Sequence, residues 1–319
     1  MKLSVLMATF NRAEMLRRTL DAMCDVDRNN LDVEFVIVDN GSTDHTGDVI
    51  RSFDSRLPIR HLFESGRGKS AALNLALDTG QLGEIVVFTD DDVRPRRDWL
   101  KQIERTCDRR SDIGIFGGRI RTIWPDDQAI PRWVNDKRME WLFSAHEHGT
   151  GDRPYENGLL PSGANTFMKS ELCAEHRFDE SLGPGKAFGT GEDIRYIDEL
   201  MRKGHEALYI GAVEVGHQIE PLQLTEKDVT RRAFRYGRGI AYRTPLPRES
   251  LYQRHPNLWL TLRLISIARH GISAFVLSVP IPSDTRFLLR IRALMDLGIN
   301  VGQFALAAHK RQQTADTLD

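Results

Sequence analysis

Short runs of apolar, largely β-branched residues recur through the first 121 residues and are separated by polar segments of helical period. The runs predict five buried strands, at Leu3–Met7, Val33–Val38, Ile59–Phe63, Ile85–Phe88 and Ile113–Phe116. Between them, apolar residues three and four positions apart predict helices over Ala13–Cys24 and Lys69–Asp78. Because parallel strands need helical crossovers, this alternation predicts an α/β fold with a mostly parallel central sheet and helices on both faces.

The pattern changes after about Trp124, where glycine, proline and aromatic residues become frequent. The elements predicted there are a helix over Glu192–Lys203 ended by Gly204, short strands at Ala207–Ile210 and Val213–Val215, and a basic helix over Thr225–Tyr242. These changes divide the chain into segments 1–121, 122–242 and 243–319.

The segment 243–319 is predicted to form a helical C-terminal tail. Its two apolar stretches between Asn257 and His309 contain five arginines and two acids, namely Arg263, Arg269, Arg286, Arg290, Arg292, Asp284 and Asp296. A basic amphipathic helix can lie in the headgroup region of an anionic membrane. Helices that pack on the sheet or form a homodimer would show the same pattern, so both interpretations stay open.

Composition narrows the class of protein. The chain is 40% hydrophobic and 28% charged with a net charge of -1, which argues against a nucleic-acid partner. Three widely spaced cysteines, Cys24, Cys107 and Cys173, indicate a reducing compartment without a disulfide framework or a zinc site. The longest apolar run near the tail, Ile272–Val279, is far short of the ~20 residues of a spanning helix. We expect a cytoplasmic protein, with peripheral attachment to the inner face of the cell membrane as the open alternative.

An acidic triplet, Asp90-Asp91-Asp92, follows directly after the predicted strand Ile85–Phe88. Ligands of open α/β sheets bind beyond the carboxyl ends of the strands. Three crowded carboxylates repel one another unless a cation compensates them, and oxygen ligands suit Mg²⁺ or Mn²⁺. The alternative is an Asp-rich turn that caps a helix starting at Arg94-Pro95. The triplet alone does not decide between them.

Two further segments lie at predicted strand ends. Asp39 follows the second strand, where an acid can accept a hydrogen bond from a base or a ribose, although a turn-forming aspartate is the simpler reading. Gly66-Arg67-Gly68-Lys69 is not a P-loop, because the position of the required first glycine is Phe63. A glycine-rich turn leading into a helix N-terminus can still meet a diphosphate.

Three residues further along the chain are candidates for chemistry. Glu192 and Asp193 open a predicted helix, where acids are favoured by the helix dipole and where an aspartate could also act as a general base. His217 closes a predicted strand, and a neutral imidazole there could complete the shell of a metal.

Taken in order, these segments resemble the family 2 glycosyltransferases of the GT-A fold over about residues 3–220. The segments that carry the resemblance are Ser4–Arg12, Val36–Asp44, Gly68–Asn74, Phe88–Asp92, Gly163–Phe167, Arg177–Glu180 and Gly191–Asp193, followed by His217. The family often has proline where this chain has Ala8. Each motif is weak by itself, and their order and spacing make the resemblance specific.

The resemblance implies a role for each matching residue. On the donor side, Thr9, Asn11, Arg12 and Asp39 would hold the nucleotide, Asp91 would approach the ribose and Lys69 the pyrophosphate. Asp90 and Asp92, Asp92 most directly, would hold Mn²⁺ or Mg²⁺, with His217 as a further ligand. Asp193 would be the base of an inverting displacement with Glu192 beside it, and Gly163, Ala164 and Asn165 would lie on the acceptor side.

The resemblance also implies the substrates. Residues 1–121 would bind a nucleotide sugar, with a UDP-sugar expected, and residues 122–242 would bind a glycan or lipid-linked acceptor. A sugar-nucleotide nucleotidyltransferase is disfavoured because no glycine-rich loop follows the first strand, and an NAD oxidoreductase because GxGxxG is absent there. A catalytically silent nucleotide-sugar-binding or scaffold protein is the remaining alternative, against which the intact Asp90, Asp92 and Asp193 speak.

Overall fold

A computed structural model describes residues 1–66, 68–126, 128–156, 158–184, 186, 190–243, 249–278 and 284–316. The described chain forms two compact units. Unit 1 consists of Met1–Asp126, Phe143–Glu180 and Glu192–Ile219, and unit 2 consists of Asp127–Leu142, Ser181–Gly191 and Glu220–Asp319.

Unit 1 is built on a mixed sheet. Its described strands are β1 (Lys2–Thr9), β2 (Asp32–Asp39), β3 (Ile59–Phe63), β4 (Ile85–Thr89), β5 (Val93–Pro95), β6 (Ile115–Ile123), β7 (Arg153–Pro154), β8 (Asn165–Lys169) and β9 (Ala207–Gln218). The order across the sheet is β3-β2-β1-β4-β8-β6-β9-β5, with β7 beside β9. The sheet is parallel from β3 to β4, as predicted, and β6 pairs with β9 in parallel. The pairs of β8 with β4 and β6, and of β9 with β5 and β7, are antiparallel.

Helices cover both faces of this sheet. They are α1 (Ala13–Cys24), α2 (Thr46–Ser52), α3 (Lys69–Asp78), α4 (Trp99–Arg109), α5 (Ser170–Ala174) and α6 (Glu192–Arg202). Side chains alternate between the faces along each strand, so Val5 of β1 packs in the core beneath α1 and α4. Its neighbour Leu6 packs in the opposite core, beneath α3 and α6. The prediction of helices on both faces is confirmed.

The prediction of two short strands around Gly211 is wrong, because the structure has the single strand β9. A β-bulge replaces the expected break: the register between β6 and β9 shifts between Gly118 and Arg119. A Cβ at Gly211 would collide with the backbone carbonyl of Thr150, so glycine here reflects the close approach of another segment. Helix α6 ends at Arg202, one residue before the predicted Lys203, and Gly204 follows with a φ of 100°, which glycine adopts easily.

Unit 2 is helical. It contains α7 (Glu226–Arg243), α8 (Glu249–Arg254), α9 (Pro256–Val276) and α10 (Asp284–Asp316), together with 3-10 helices at Arg132–Asn135 and Pro221–Leu224. Glycines allow α7 and α10 to approach closely, because a Cβ at Gly237 would meet the carbonyl oxygen of Met295 and one at Gly298 that of Phe234. The predicted helical tail is therefore present. None of the described helices combines the length and the apolar composition that crossing a bilayer requires.

Candidate active site

The predicted site residues of the first half meet where β1, β2 and β4 end, which we call the carboxyl edge. Thr9, Asp39 and Thr89 are the last residues of these strands, and the triplet follows Thr89. The next element is the strand β5, and α4 begins only at Trp99. The triplet therefore does not cap a helix, and that alternative is wrong.

Asp91 is buried and bound by two side chains, one from the end of β1 and one from the loop that follows. Thr9 donates its hydroxyl to Oδ2 at 2.7 Å, and Arg12 donates Nη1 to Oδ1 at 2.6 Å. Burial raises the pKa of Asp91 to about 6, with Arg12 acting in the opposite direction. The backbone carbonyl of Asp91 also accepts the hydroxyl of Thr19. Sequence reasoning missed Thr19, although a threonine on the buried face of a predicted helix is a signal for such a bond.

Asp92 is buried between Arg12 and His217. Its Oδ2 lies 3.0 Å from Nη1 of Arg12, and its Oδ1 lies 3.4 Å from Nε2 of His217. Burial acts against ionisation, but His217 and Arg12 together hold the pKa of Asp92 below its usual range. Pairing of β5 with β9 brings the imidazole here, because Val93 is the register partner of His217. The fold thus brings the side chains of Asp92 and His217 together.

Asp90 and Glu192 share a lysine. Nζ of Lys69 lies 2.5 Å from Oδ1 of Asp90 and 3.8 Å from Oε1 of Glu192. Burial raises the pKa of Glu192 to about 7, and the positive charge of Lys69 counteracts this shift. Burial would lower the pKa of Lys69, but the two carboxylates raise it well above its usual range, so the ammonium stays charged. Lys69 therefore lies between the triplet and the start of α6.

Asp193 is held by the backbone. Its Oδ2 accepts the N–H of Gly163 at 2.8 Å. A Cβ added at Gly163 would lie 2.7 Å from both Cβ and Oδ2 of Asp193, so only glycine lets the carboxylate approach this closely. The next residue, Ala164, is buried and accepts the hydroxyl of Thr89 through its carbonyl oxygen. These contacts tie the predicted acceptor-side segment to the end of β4.

Asn165 is fully buried inside the sheet. Its Nδ2 donates to the carbonyl oxygens of Arg119 and Val213, and its Oδ1 accepts Nε1–H of Trp99. These partners belong to β6, to the bulged part of β9 and to α4. In the structure this side chain therefore stabilises the junction of β6, β8 and β9.

The loops after β1 and β2 are joined by Asn11. This residue has a φ of 50°, a left-handed conformation that asparagine tolerates, and its Oδ1 accepts the backbone N–H of Thr43 at 2.7 Å. Asp39 is buried, and its Oδ1 accepts the N–H of Ser42. Asn40 binds the glycine-rich turn, accepting the N–H of Gly68 at 2.8 Å. Arg67 of that turn lies outside the described residues.

A cleft within unit 1 lies between Lys69 and Asp193. Its other lining residues are Leu73, Phe88, Thr89, Gly163, Thr166, Met168, Phe178, Tyr196 and Ile197. Phe178 and Tyr196 stack with their ring centroids 4.1 Å apart. Phe178 belongs to the segment Arg177–Glu180, which carries part of the resemblance. Sequence reasoning missed Tyr196, for which the one signal was a large aromatic on the buried face of the predicted α6.

The donor atoms at Asp92 and His217 fit a divalent cation. Asp92 Oδ1 is buried and accepts no hydrogen bond of ordinary geometry from the described residues. In the described part of the chain, no three acidic, histidine or cysteine side chains are grouped closely enough to hold a metal by themselves. Mg²⁺ and Mn²⁺ sites of nucleotide enzymes commonly use one or two protein ligands together with substrate phosphates. The residues present are compatible with such a shared site.

Comparisons with known proteins agree with this geometry. A sequence model described as Glycosyl transferase family 2 matches residues 4–176, more than half of the chain. Glycosyltransferase AglE of Haloferax volcanii is 22% identical over 275 residues, which are 85% of this chain and 83% of that protein. The chain therefore belongs to glycosyltransferase family 2, and the relatives it matches are glycosyltransferases.

Solved structures show the same fold. The mannosyltransferase PcManGT from Pyrobaculum calidifontis, in complex with GDP-Man and Mn²⁺, has a TM-score of 0.53 at 19% identity, covering 99% of this chain and 80% of that one. GalNAc-T7 with UDP, GalNAc and Mn²⁺ has a TM-score of 0.54 at 15% identity, covering 76% of this chain and 50% of that one. The fold is GT-A, and the family and fold together define a nucleotide-sugar glycosyltransferase.

Proposed function

We propose that the protein transfers a sugar from a UDP-sugar to a hydroxyl group of a glycan or lipid-linked acceptor, with inversion and with the help of Mn²⁺ or Mg²⁺. The observation that carries the proposal is the cleft that brings Lys69 and the carboxylate of Asp193 together beside the triplet. Donor binding and proton removal need these two kinds of group at one site.

The donor would bind at the carboxyl edge. Asp39 would accept a hydrogen bond from the uracil and Asp91 from the ribose, and the ammonium of Lys69 would face the diphosphate. In this structure Arg12 forms ion pairs with both Asp91 and Asp92, so its guanidinium would have to leave these carboxylates when the donor binds. Its guanidinium can then turn to a phosphate, for which its geometry is suited.

Asp92 and His217 would hold the divalent metal, and Asp90 would support it. The bound cation would supply charge neutralisation for the diphosphate that leaves. Two of the chain's own cations, Arg12 and Lys69, lie within 3.0 Å of the triplet and would add to that neutralisation.

Asp193 would act as the general base. As the acceptor oxygen bonds to the anomeric carbon, its proton passes to a carboxylate oxygen of Asp193, and the bond from that carbon to the diphosphate oxygen breaks. Attack from the face opposite the leaving group inverts the anomeric configuration. The hydrogen bond from Gly163 orients the carboxylate, which favours a productive geometry.

The complexes of similar folds support a nucleotide-sugar donor and a metal, but the nucleobase of the bound nucleotide differs between them. PcManGT carries GDP-Man with Mn²⁺, and GalNAc-T7 carries UDP with Mn²⁺. The segment Val36–Asp44 resembles the uridine-contacting segment of the family, and this favours UDP here. A mass-spectrometric screen of nucleotide-sugar hydrolysis would identify both the nucleobase and the sugar of the donor.

Thermal unfolding tests the donor site. We expect UDP with Mn²⁺ to raise the melting temperature by roughly 5 °C at saturating concentration, because a ligand that binds only the folded state stabilises it. Asp92→Ala should abolish this gain. The matched control is Asp112→Ala, which removes a surface carboxylate paired with Arg110 and should keep the full shift. Absence of a shift with UDP, dTDP and GDP alike would refute the proposed donor site.

A further inference from the structure

Helix α9 carries a row of exposed apolar side chains. Leu258, Leu262, Ile265, Ile272 and Val276 recur at spacings of three, four or seven residues, and we call this row the outward stripe. Ile265 is 61% exposed and Ile272 is 64% exposed. Phe275, beside the stripe, is 75% exposed. Large apolar side chains grouped in this way on a surface mark an interaction site.

The orientation of α9 is set by its opposite face. Trp259 is buried there, and Arg263 donates Nη1 to Asn300 Oδ1 at 3.1 Å and to Gln303 Oε1 at 2.9 Å. Asn300 and Gln303 are buried residues of α10. Rotating the stripe inward would break these polar contacts and leave buried groups without partners. The outward stripe is thus a fixed surface of unit 2, and no described residue covers it.

The charges around the stripe indicate what covers it. Helix α9 contains no aspartate or glutamate, and its Arg269 is exposed. Arg269 lies in its middle, four residues after Ile265 and three before Ile272. A second copy would bring the same acid-free face against this arginine, which would lack a charge partner. Anionic headgroups offer one, because an arginine stem can lie along apolar surface while its guanidinium reaches a phosphate.

We propose that α9 lies in the plane of an anionic lipid surface, with the outward stripe inserted among the acyl chains and Arg269 at the headgroup phosphates. A helix of 21 residues is about 32 Å long, so the stripe offers a long line of contact parallel to the surface. This inference does not depend on the donor, the metal or the base proposed above.

Co-sedimentation of the full-length protein with vesicles tests the inference. We expect binding to phosphatidylcholine vesicles that contain phosphatidylglycerol, and binding at least about tenfold weaker to phosphatidylcholine alone. The double substitution Ile265→Asp and Ile272→Asp should weaken binding to the anionic vesicles by more than about tenfold, because both side chains lose their place in the apolar layer. Arg269→Gln should weaken it about fivefold and leave binding to neutral vesicles unchanged.

The control is Leu222→Asp, which places the same charge at an apolar residue that is 78% exposed and lies outside α9. This variant should bind as the parent does, and circular dichroism should give the same spectrum for every variant. Failure of the full-length protein to sediment with anionic vesicles would overturn the inference. So would a dimer that forms without lipid and dissociates in the Ile265→Asp, Ile272→Asp variant, because a second copy would then be the occupant of the stripe.

Discussion

The acids of the site are held in two different ways. At the carboxyl edge, Asp91 and Asp92 are held by the guanidinium of Arg12 and by His217, and Asp90 by Lys69. At the start of α6, Asp193 is held by the backbone N–H of Gly163. The first group of partners consists of side chains, among them the cations Arg12 and Lys69, whereas the second is a backbone amide.

This difference matches the two tasks that we propose. A donor and a cation can exchange with charged side chains, because each exchange replaces one ionic contact by another. A general base needs a fixed direction toward the hydroxyl that it deprotonates, and a backbone donor that packs against it provides that direction. The comparison predicts that changes on the two sides separate donor binding from turnover.

The largest effect is expected for Asp193→Asn. Loss of the proton acceptor should lower the transfer rate by about 10³-fold, while the affinity for UDP with Mn²⁺ stays within about threefold. Single-turnover assays and calorimetric titration measure the two quantities. Asp198→Asn, on the same helix but paired with Arg202, is the matched control and should retain full activity. If Asp193→Asn retained turnover, a residue other than Asp193 would have to be the general base.

A smaller effect of the same kind is expected for Gly163→Ala. The added Cβ would lie 2.7 Å from the carboxylate of Asp193 and displace it, so kcat should fall by about 10²-fold with little change in donor affinity. Gly151→Ala is the control, since a Cβ there meets nothing within 4 Å. Equal activity of the two variants would contradict the proposed orientation of Asp193 by the backbone.

The smallest effect is expected in the pH dependence of stability and concerns His146. Its Nε2 forms a hydrogen bond with the hydroxyl of Tyr155 at 2.7 Å. The pKa of His146 is lowered from 6.5 to about 4, mainly by burial, with His148 acting in the same direction and Asp193 opposing it. The unfolded chain therefore takes up this proton first as the pH falls, and stability is lost between about pH 6.5 and 4.

Replacing His146 by glutamine, which can keep the bond to Tyr155, should remove this loss. We expect the difference in unfolding free energy between pH 7.5 and 5 to shrink by about 1 to 2 kcal/mol relative to the parent, as measured by denaturant titration at both pH values. His45→Gln, at a mostly exposed position, should leave the pH dependence of the parent in place. A parent-like pH dependence in His146→Gln would contradict the neutral, buried state of this imidazole.

Much of the proposed donor side could be predicted from the sequence. Alternating apolar positions locate the strands, parallel strands end at one edge, and the polar residues that follow them, Thr9, Asp39 and Asp90, must therefore be neighbours. The helix that starts at Lys69 could be recognised from its spacing. Even so, the reach of Arg12 to both Asp91 and Asp92 depends on side-chain conformations that no sequence pattern contains.

The proposed acceptor side was harder to predict because its contacts join distant segments. Gly163 and Asp193 meet across 30 residues, and no periodicity connects them. The continuity of β9 depends on a bulge in its pairing with β6, which a local pattern around Gly211 cannot reveal. Tyr196 of α6 stacks on Phe178 of a different segment at the cleft, and the sequence indicates only that Tyr196 lies on the buried face of its helix.

The amide of Asn165 has a consequence for the rate at which the sheet assembles. Its three bonds reach Trp99, Arg119 and Val213, at separations of 66, 46 and 48 residues along the chain. Contacts between residues so far apart close long loops and form slowly. We therefore expect the junction of β6, β8 and β9 to form late in folding, after the local βα units at the N-terminus have already formed.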